Sequence, residues 1–343
     1  MFAHLDSLST ATASTINGVS IMHESMGDES GPCIFICNGM GMTMTYTGGF
    51  AERFVEQGFR VIRFDWRDAG ESQKFDAEWP NPPDVNPTLK PIPPPAFAAY
   101  DLDDLAADAI GVLDHYNVSS AHVYGFSMGN VVAQILAVKH PARCLSLVLH
   151  MGFVDLTACW ARAMEKDGGK YFQKVGAMRA KYPPPSRDMP YEDWLTRHTE
   201  FFCGTVGGGD LAYPTTMPLI KDLVRRWGEE DYARGAIDWS GNGSKRHMLA
   251  TVSWSTNRAK LAAHVEGLRQ LQVPTLCLHG LHDLLCPPET GGREIARHVP
   301  NARVVEYHGA HNFGNHKSVY ELVFAAALEH VQYHSTPRTV QVH

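Results

Sequence analysis

The sequence predicts an α/β fold: a mostly parallel central sheet, helices on both of its faces, and a mostly helical insertion over one edge. Three observations carry this. Short apolar runs alternate with stretches of helical periodicity. The alternation stops after residue 152 and resumes near residue 273. Gly125-Phe126-Ser127-Met128-Gly129 sits where one apolar run gives way to a helical one. Strands that alternate with helices form βαβ units, which pair in parallel and are covered on both faces.

The elements follow in order. PCIFICN (32–38) reads as a buried strand, with a helix around 50–57 that ends at Gly58 and a second strand in RVIRFD (60–65). Residues 73–100 are proline-rich and include PIPPP; prolines forfeit hydrogen bonds in helices and central strands, so this is an irregular surface excursion. Residues 100–116 repeat Leu102, Leu105, Ala109, Val112 and Leu113 at helical spacing, and the early aspartates suit a helix N-terminus. AHVYGF (121–126) is a strand, Val131, Val132, Ile135 and Leu136 mark the next helix, and CLSLVLH (144–150) is a strand again. The pattern resumes with VPTLCLHG (273–280), a helix near 288–298, ARVVEYH (302–308) and a helix across 316–331.

Residues 153–265 break this pattern. They carry Trp160, Trp194, Phe201, Phe202, Tyr213, Trp227, Tyr232, Trp239 and Trp254. Because the sheet pattern stops before them and resumes after them, they read as a helical cap on a core of 1–152 and 266–343. The plainer alternative is a separate domain with its own core; most of the aromatics are expected to be core residues, with some facing an apolar pocket.

The chain has 343 residues, 44% of them hydrophobic, enough for a large core. Lys and Arg total 30 against 37 Asp and Glu, a formal charge of −7, and no basic run suggests a nucleic-acid partner. The seven cysteines, several inside apolar runs, read as reduced core thiols and point to the cytoplasm. The N-terminus has no basic start followed by an apolar stretch, and no run approaches the ~18 apolar residues of a membrane span. The cap and the proline-rich excursion could each host a dimer contact.

A serine in Gly-x-Ser-x-Gly between a strand and a helix sits on a nucleophile elbow. There its hydroxyl projects from the carboxyl end of the sheet at a helix N-terminus. The plainer reading is a glycine-rich turn with an idle serine. A nucleophilic serine needs a base, and the base needs an acid to orient it. Asp283 follows one late strand and His311 the next, and all carboxyl ends of a parallel sheet share one edge. Ser127, Asp283 and His311 are therefore expected to converge, in the order Ser, Asp, His. Asp155, which also follows a strand, is the rival acid. The 18 histidines invite a metal reading at His279, His282, His308, His311 and His316, but neither a helical His-Glu-x-x-His nor a Cys-x-x-Cys occurs. No metal and no cofactor are expected. His150, at the end of a strand, is expected as a hydrogen-bonded structural histidine.

In combination, GFSMG, DWRDAGES (65–72), the late Gly-x-x-Asp of GLHD and GAHNF resemble the α/β-hydrolase family over roughly 15–150 and 265–335. The Asp-x-Arg-Asp-x-Gly-x-Ser form is similar to esterases acting on methyl esters of polyketides and to haloperoxidase-like members. The resemblance implies a serine hydrolase of secondary metabolism with a cap over its pocket, acting on a carboxylic ester of a hydrophobic small molecule. It implies an oxyanion hole from the backbone N–H groups of Met128 and Met40, with Asp65 and Arg67 bracing the loops. Three positions depart from the family pattern: Asn38 replaces a histidine, and Asp68 and Ala310 replace glycines. If His311 is the base it must be neutral, and an ordinary histidine titrates near ~6.5, so activity should rise from acid toward neutral pH. A hydrolase of carbon–carbon bonds, or a non-hydrolytic receptor or cyclase on the same fold, are the alternatives.

Overall fold

The computed structural model describes residues 11–85, 98–206, 218–311 and 317–335. PIPPP, Tyr213, His316 and the glycine-rich run after Val206 lie outside the described residues. The first element is a hairpin that the alternation read from sequence did not include. Asn17-Gly18 separates β1 (Thr12–Ile16) from β2 (Val19–Met26), with φ of 51° and 77°. Two successive left-handed residues make the tight turn that matches strand twist, and Asn-Gly suits it best.

β2 runs antiparallel to β4 (Arg60–Phe64), and from there the sheet is parallel through β3 (Cys33–Cys37), β5 (Ala121–Phe126), β6 (Cys144–His150), β7 (Thr275–Gly280) and β8 (Ala302–Tyr307). Among the described residues these strands form one eight-stranded sheet in the order β1-β2-β4-β3-β5-β6-β7-β8. Register sets up the site. Phe126 pairs with His150, His150 with Leu278, and Gly280 with Tyr307, so β5, β7 and β8 end at one rim.

Alternate strand residues feed two cores, as the pleat requires. Phe35 and Cys37 pack on one face with α2 (Leu102–His115) and α3 (Met128–Lys139). Ile34 and Ile36 pack on the other with α1 (Gly48–Glu56) and α11 (Lys317–Ser335). α2 starts on a capping box, Asp101 accepting from the chain and Asp104 reaching back. α10 (Gly292–His298) joins β7 to β8.

Between β6 and β7 the described residues are mostly helical, as expected: α4 (Leu156–Asp167), α5 (Lys170–Lys181), α6 (Tyr191–Val206), α7 (Pro218–Arg234), α8 (Asn242–Thr256) and α9 (Arg258–Gln270). The expected end of the insertion at 265 falls inside α9. That helix packs on α3, where its His264 bonds Gln134 at 3.1 Å. Trp160 and Trp254 join the core cluster of α2 and α3, whereas Trp227 joins that of α1 and α11. All seven cysteines are buried and free. Among the described residues no helix is long and apolar enough to cross a membrane.

Candidate active site

Ser127 joins β5 to α3 with φ 52° and ψ −116°, a conformation that strains any residue bearing a Cβ. Its surroundings hold it there. Ser127 N–H donates to His150 O at 3.0 Å, and Asn130 N–H donates to Ser127 O at 3.0 Å. The glycines on either side are needed for close approach: a Cβ at Gly125 would strike Gly129 O and the Asn130 Cα. One at Gly129 would strike the carbonyls of Cys37 and Asn38. The serine stands at the N-terminus of α3, whose unpaired N–H groups favour negative charge.

The loops after β7 and β8 are laced together, Leu281 N–H donating to Tyr307 O and His282 N–H to Gly309 O, each at 2.9 Å. They bring Asp283 and His311 to the serine. His311 Nδ1 lies 2.7 Å from Asp283 Oδ2, and His311 Nε2 lies 3.0 Å from Ser127 Oγ. Asp283 is fully buried, and its Oδ1 accepts from the N–H groups of Leu285 and Cys286 at 2.9 and 2.7 Å. Burial pushes its pKa up, but the electrostatic pull and hydrogen bonding of the His311 and His279 N–H groups that face it hold it well below the usual carboxylate range. An ionised Asp283 accepts only, so His311 Nδ1 donates to it and Nε2 presents its lone pair to the Ser127 hydroxyl.

The other histidines near this edge have further partners of their own, although His279 Nε2 also lies 3.5 Å from Asp283 Oδ2. His279 Nε2–H donates to Cys286 O at 2.7 Å while Nδ1 accepts from Gly292 N–H at 3.1 Å, bracing the Asp283 loop. His150 is wholly buried between the hydroxyls of Tyr124 and Tyr307, at 3.1 and 2.8 Å, and burial with its histidine neighbours keeps it neutral. His282 and His308 stack on each other with ring centroids 5.7 Å apart. Among the described residues no group of three or more His, Cys, Asp or Glu side chains could hold a metal ion. Asp155, the rival acid, instead caps α4 through Thr157 N–H and pairs with Arg258 at 3.0 Å.

Met128 follows Ser127 as the first residue of α3. The loop bearing Met40 runs beside the serine, since a Cβ at Gly39 would lie 3.5 Å from Ser127 Cβ. Asn38 braces that loop: its Nδ2 donates to Thr43 O and its carbonyl accepts from Trp66 Nε1, both at 3.0 Å. Asp65 holds Met44 N–H at 2.7 Å, Glu71 N–H at 2.9 Å and Arg234 at 3.0 Å. Arg67 grips Asp108 through two bonds of 2.7 Å. Asp68, with φ 67°, occupies a backbone conformation natural to glycine, and its carboxylate binds Arg246 at 2.7 Å, Tyr100 at 2.9 Å and Phe75 N–H at 2.9 Å. Ala310 is fully buried.

Sequence reasoning did not find Asp231, Arg246 or His247. Asp231, on α7, takes the hydroxyls of Thr43 and Thr45 at 2.8 Å, tying the Met40 loop to the insertion. Burial and the nearby Asp65 push its pKa up to about 7. Arg246 and His247, on α8, reach the 65–72 loop.

A family profile described as the alpha/beta hydrolase fold matches residues 32–197. Rhodomycin D methylesterase DnrP from Streptomyces peucetius is 29% identical over 299 residues, covering 85% of this chain and 88% of that protein. Rhodomycin D methylesterase DauP from Streptomyces sp. (strain C5) is also 29% identical, over 302 residues and the same shares. Among solved structures, the enol-lactonase from Burkholderia xenovorans LB400 superposes with a TM-score of 0.58 at 19% identity, over 94% of this chain and all of that one.

Proposed function

We propose that this chain, a carboxylic ester hydrolase of the α/β-hydrolase fold, cleaves an ester of a hydrophobic small molecule through an acyl-enzyme on Ser127. The observation that carries the reading is the hydrogen-bonded series from Ser127 Oγ through His311 to Asp283, at 3.0 and 2.7 Å, on the carboxyl rim of the sheet. Ser127 gives its proton to His311 Nε2 as its oxygen attacks the ester carbonyl. Asp283 stabilises the imidazolium through Nδ1–H, and the N–H groups of Met128 and Met40 receive the oxyanion. Collapse returns the proton from His311 to the departing alkoxide, which leaves as the alcohol. Water, deprotonated by His311, then attacks the acyl-enzyme and frees the acid and Ser127.

The methylesterase relatives direct the substrate search to methyl esters of polyketides, with methanol as the first product. In this reading the cap is α4–α8, with α9 returning to the core because it packs on α3. The buried free thiols favour a reducing compartment such as the cytoplasm.

Ser127→Ala is the test. It is expected to lower turnover of p-nitrophenyl butyrate and of a polyketide methyl ester by ~10⁴-fold or more, with thermal unfolding little changed. Turnover at the parent rate contradicts the reading. A carbon–carbon hydrolase would instead prefer a vinylogous diketone to every ester, and a receptor or cyclase would bind ligand without releasing acid.

A further inference from the structure

We propose that His247 is a positioning residue for the oxyanion loop, acting through the backbone of Gly41; this rests on the reading of Met40 as an oxyanion donor. His247 lies on α8 and is fully buried. Its Nε2 is 2.7 Å from Arg67 O. A carbonyl only accepts, so Nε2 carries the proton. Nδ1 of the neutral ring then holds a lone pair, and it accepts Gly41 N–H at 2.9 Å. One imidazole thus clamps the main chains of two loops, one of which runs beside Ser127.

The clamp sits where orientation matters. Gly41 N–H belongs to the peptide that follows Met40, and Gly39 on the other side lies against Ser127. The loop is pinned at Asn38 by Thr43 O and at Met44 by Asp65, while Met42 N–H folds back on Gly39 O at 3.2 Å. His247 holds the stretch between these pins. Ser244, one turn earlier on α8, fills the space where a side chain at Gly41 would go. Donors aimed before substrate arrives stabilise developing charge without reorganising, and removing one such donor elsewhere costs ~10²–10³-fold in rate. The insertion therefore takes part in aiming the chemistry as well as in covering it.

Two variants of similar size separate the two bonds. His247→Asn places an amide oxygen near the Nδ1 position and keeps an acceptor for Gly41. His247→Gln reaches the Nε2 position and keeps a donor for Arg67 O, but leaves Gly41 N–H without its acceptor. On p-nitrophenyl butyrate, His247→Gln is expected to lose ~10-fold or more in kcat with KM within ~2-fold, and to bind a boronate transition-state analogue correspondingly less well. His247→Asn is expected to stay within ~3-fold of the parent kcat. Equal losses in both variants, an effect on KM alone, or full kcat in His247→Gln would overturn the proposal. If His247→Gln does not fold, His247→Gly is the second arm. Added imidazole is expected to restore kcat severalfold, whereas pyrrole, which has no acceptor nitrogen, is not; equal rescue, or none, overturns it. Ser127→Ala assayed alongside distinguishes the failures. If it is inactive while His247→Gln is fully active, only this inference falls. If it keeps turnover, the acyl-enzyme reading falls.

Discussion

At Asp283 burial and pairing act in opposite directions, and pairing prevails. Its folded-state pKa is depressed, so its contribution to stability is present above the ordinary carboxylate range and lost as pH falls below it. Asp283→Asn keeps the shape but removes the charge that, in the proposed mechanism, orients His311 and steadies the imidazolium. It is expected to lower kcat by ~10⁴-fold with the fold retained, measured by ester turnover and circular dichroism. Asp231 has the opposite sign. Its pKa is raised to about 7 by burial and by Asp65, so the folded state holds a proton that the unfolded state releases nearer pH 4. Between about pH 4 and pH 7 this group's contribution falls as pH rises. Asp231→Asn is therefore expected to gain stability relative to the parent chain as pH rises across that window. Urea unfolding at pH 5 and pH 8 measures it, and a pH-independent difference would refute it.

Among the elements, what was legible followed from how local each signal is. Ser127 could be read because a strand, a glycine-flanked turn and a helix adjoin within residues 121–139, and the structure needs both glycines for the backbone contacts of Gly125 and Gly129. Asp283 and His311 could be placed because parallel strands share a rim, which the pairing of Gly280 with Tyr307 provides. The β1–β2 hairpin carried a usable signal in Asn17-Gly18, but β1 is largely exposed and lacks the apolar run that marked the inner strands. His247 carried none: its partners are 206 and 180 residues away, and nothing in α8 distinguishes it from the other histidines. Arg246, its neighbour, joins α8 to Asp68 and to Asp76, each at 2.7 Å, with its own side chain and that of Asp68 nearly inaccessible. Arg246→Met leaves Asp68 buried without its cation and is expected to cost roughly 3 kcal/mol, measured by urea unfolding. A loss under 0.5 kcal/mol would show that the α8 contact is dispensable to the fold.

Among the described residues, the inner strands are more deeply buried than part of the insertion. β3 and β5 are buried at every position, whereas α5 buries only Tyr171 and Phe172 of its twelve residues. Amides of β3 and β5 are expected to exchange hydrogen only through global unfolding, and those of α5 through local opening. Equal protection would mean that the insertion and the sheet unfold as one unit. The most direct test of the central claim is covalent. A fluorophosphonate is added to the parent chain, and the modified peptide is located by mass spectrometry. A single adduct is expected on Ser127, absent after prior saturation with substrate and absent in Ser127→Ala. An adduct on another residue, or undiminished ester hydrolysis by a chain that takes no label, would contradict it.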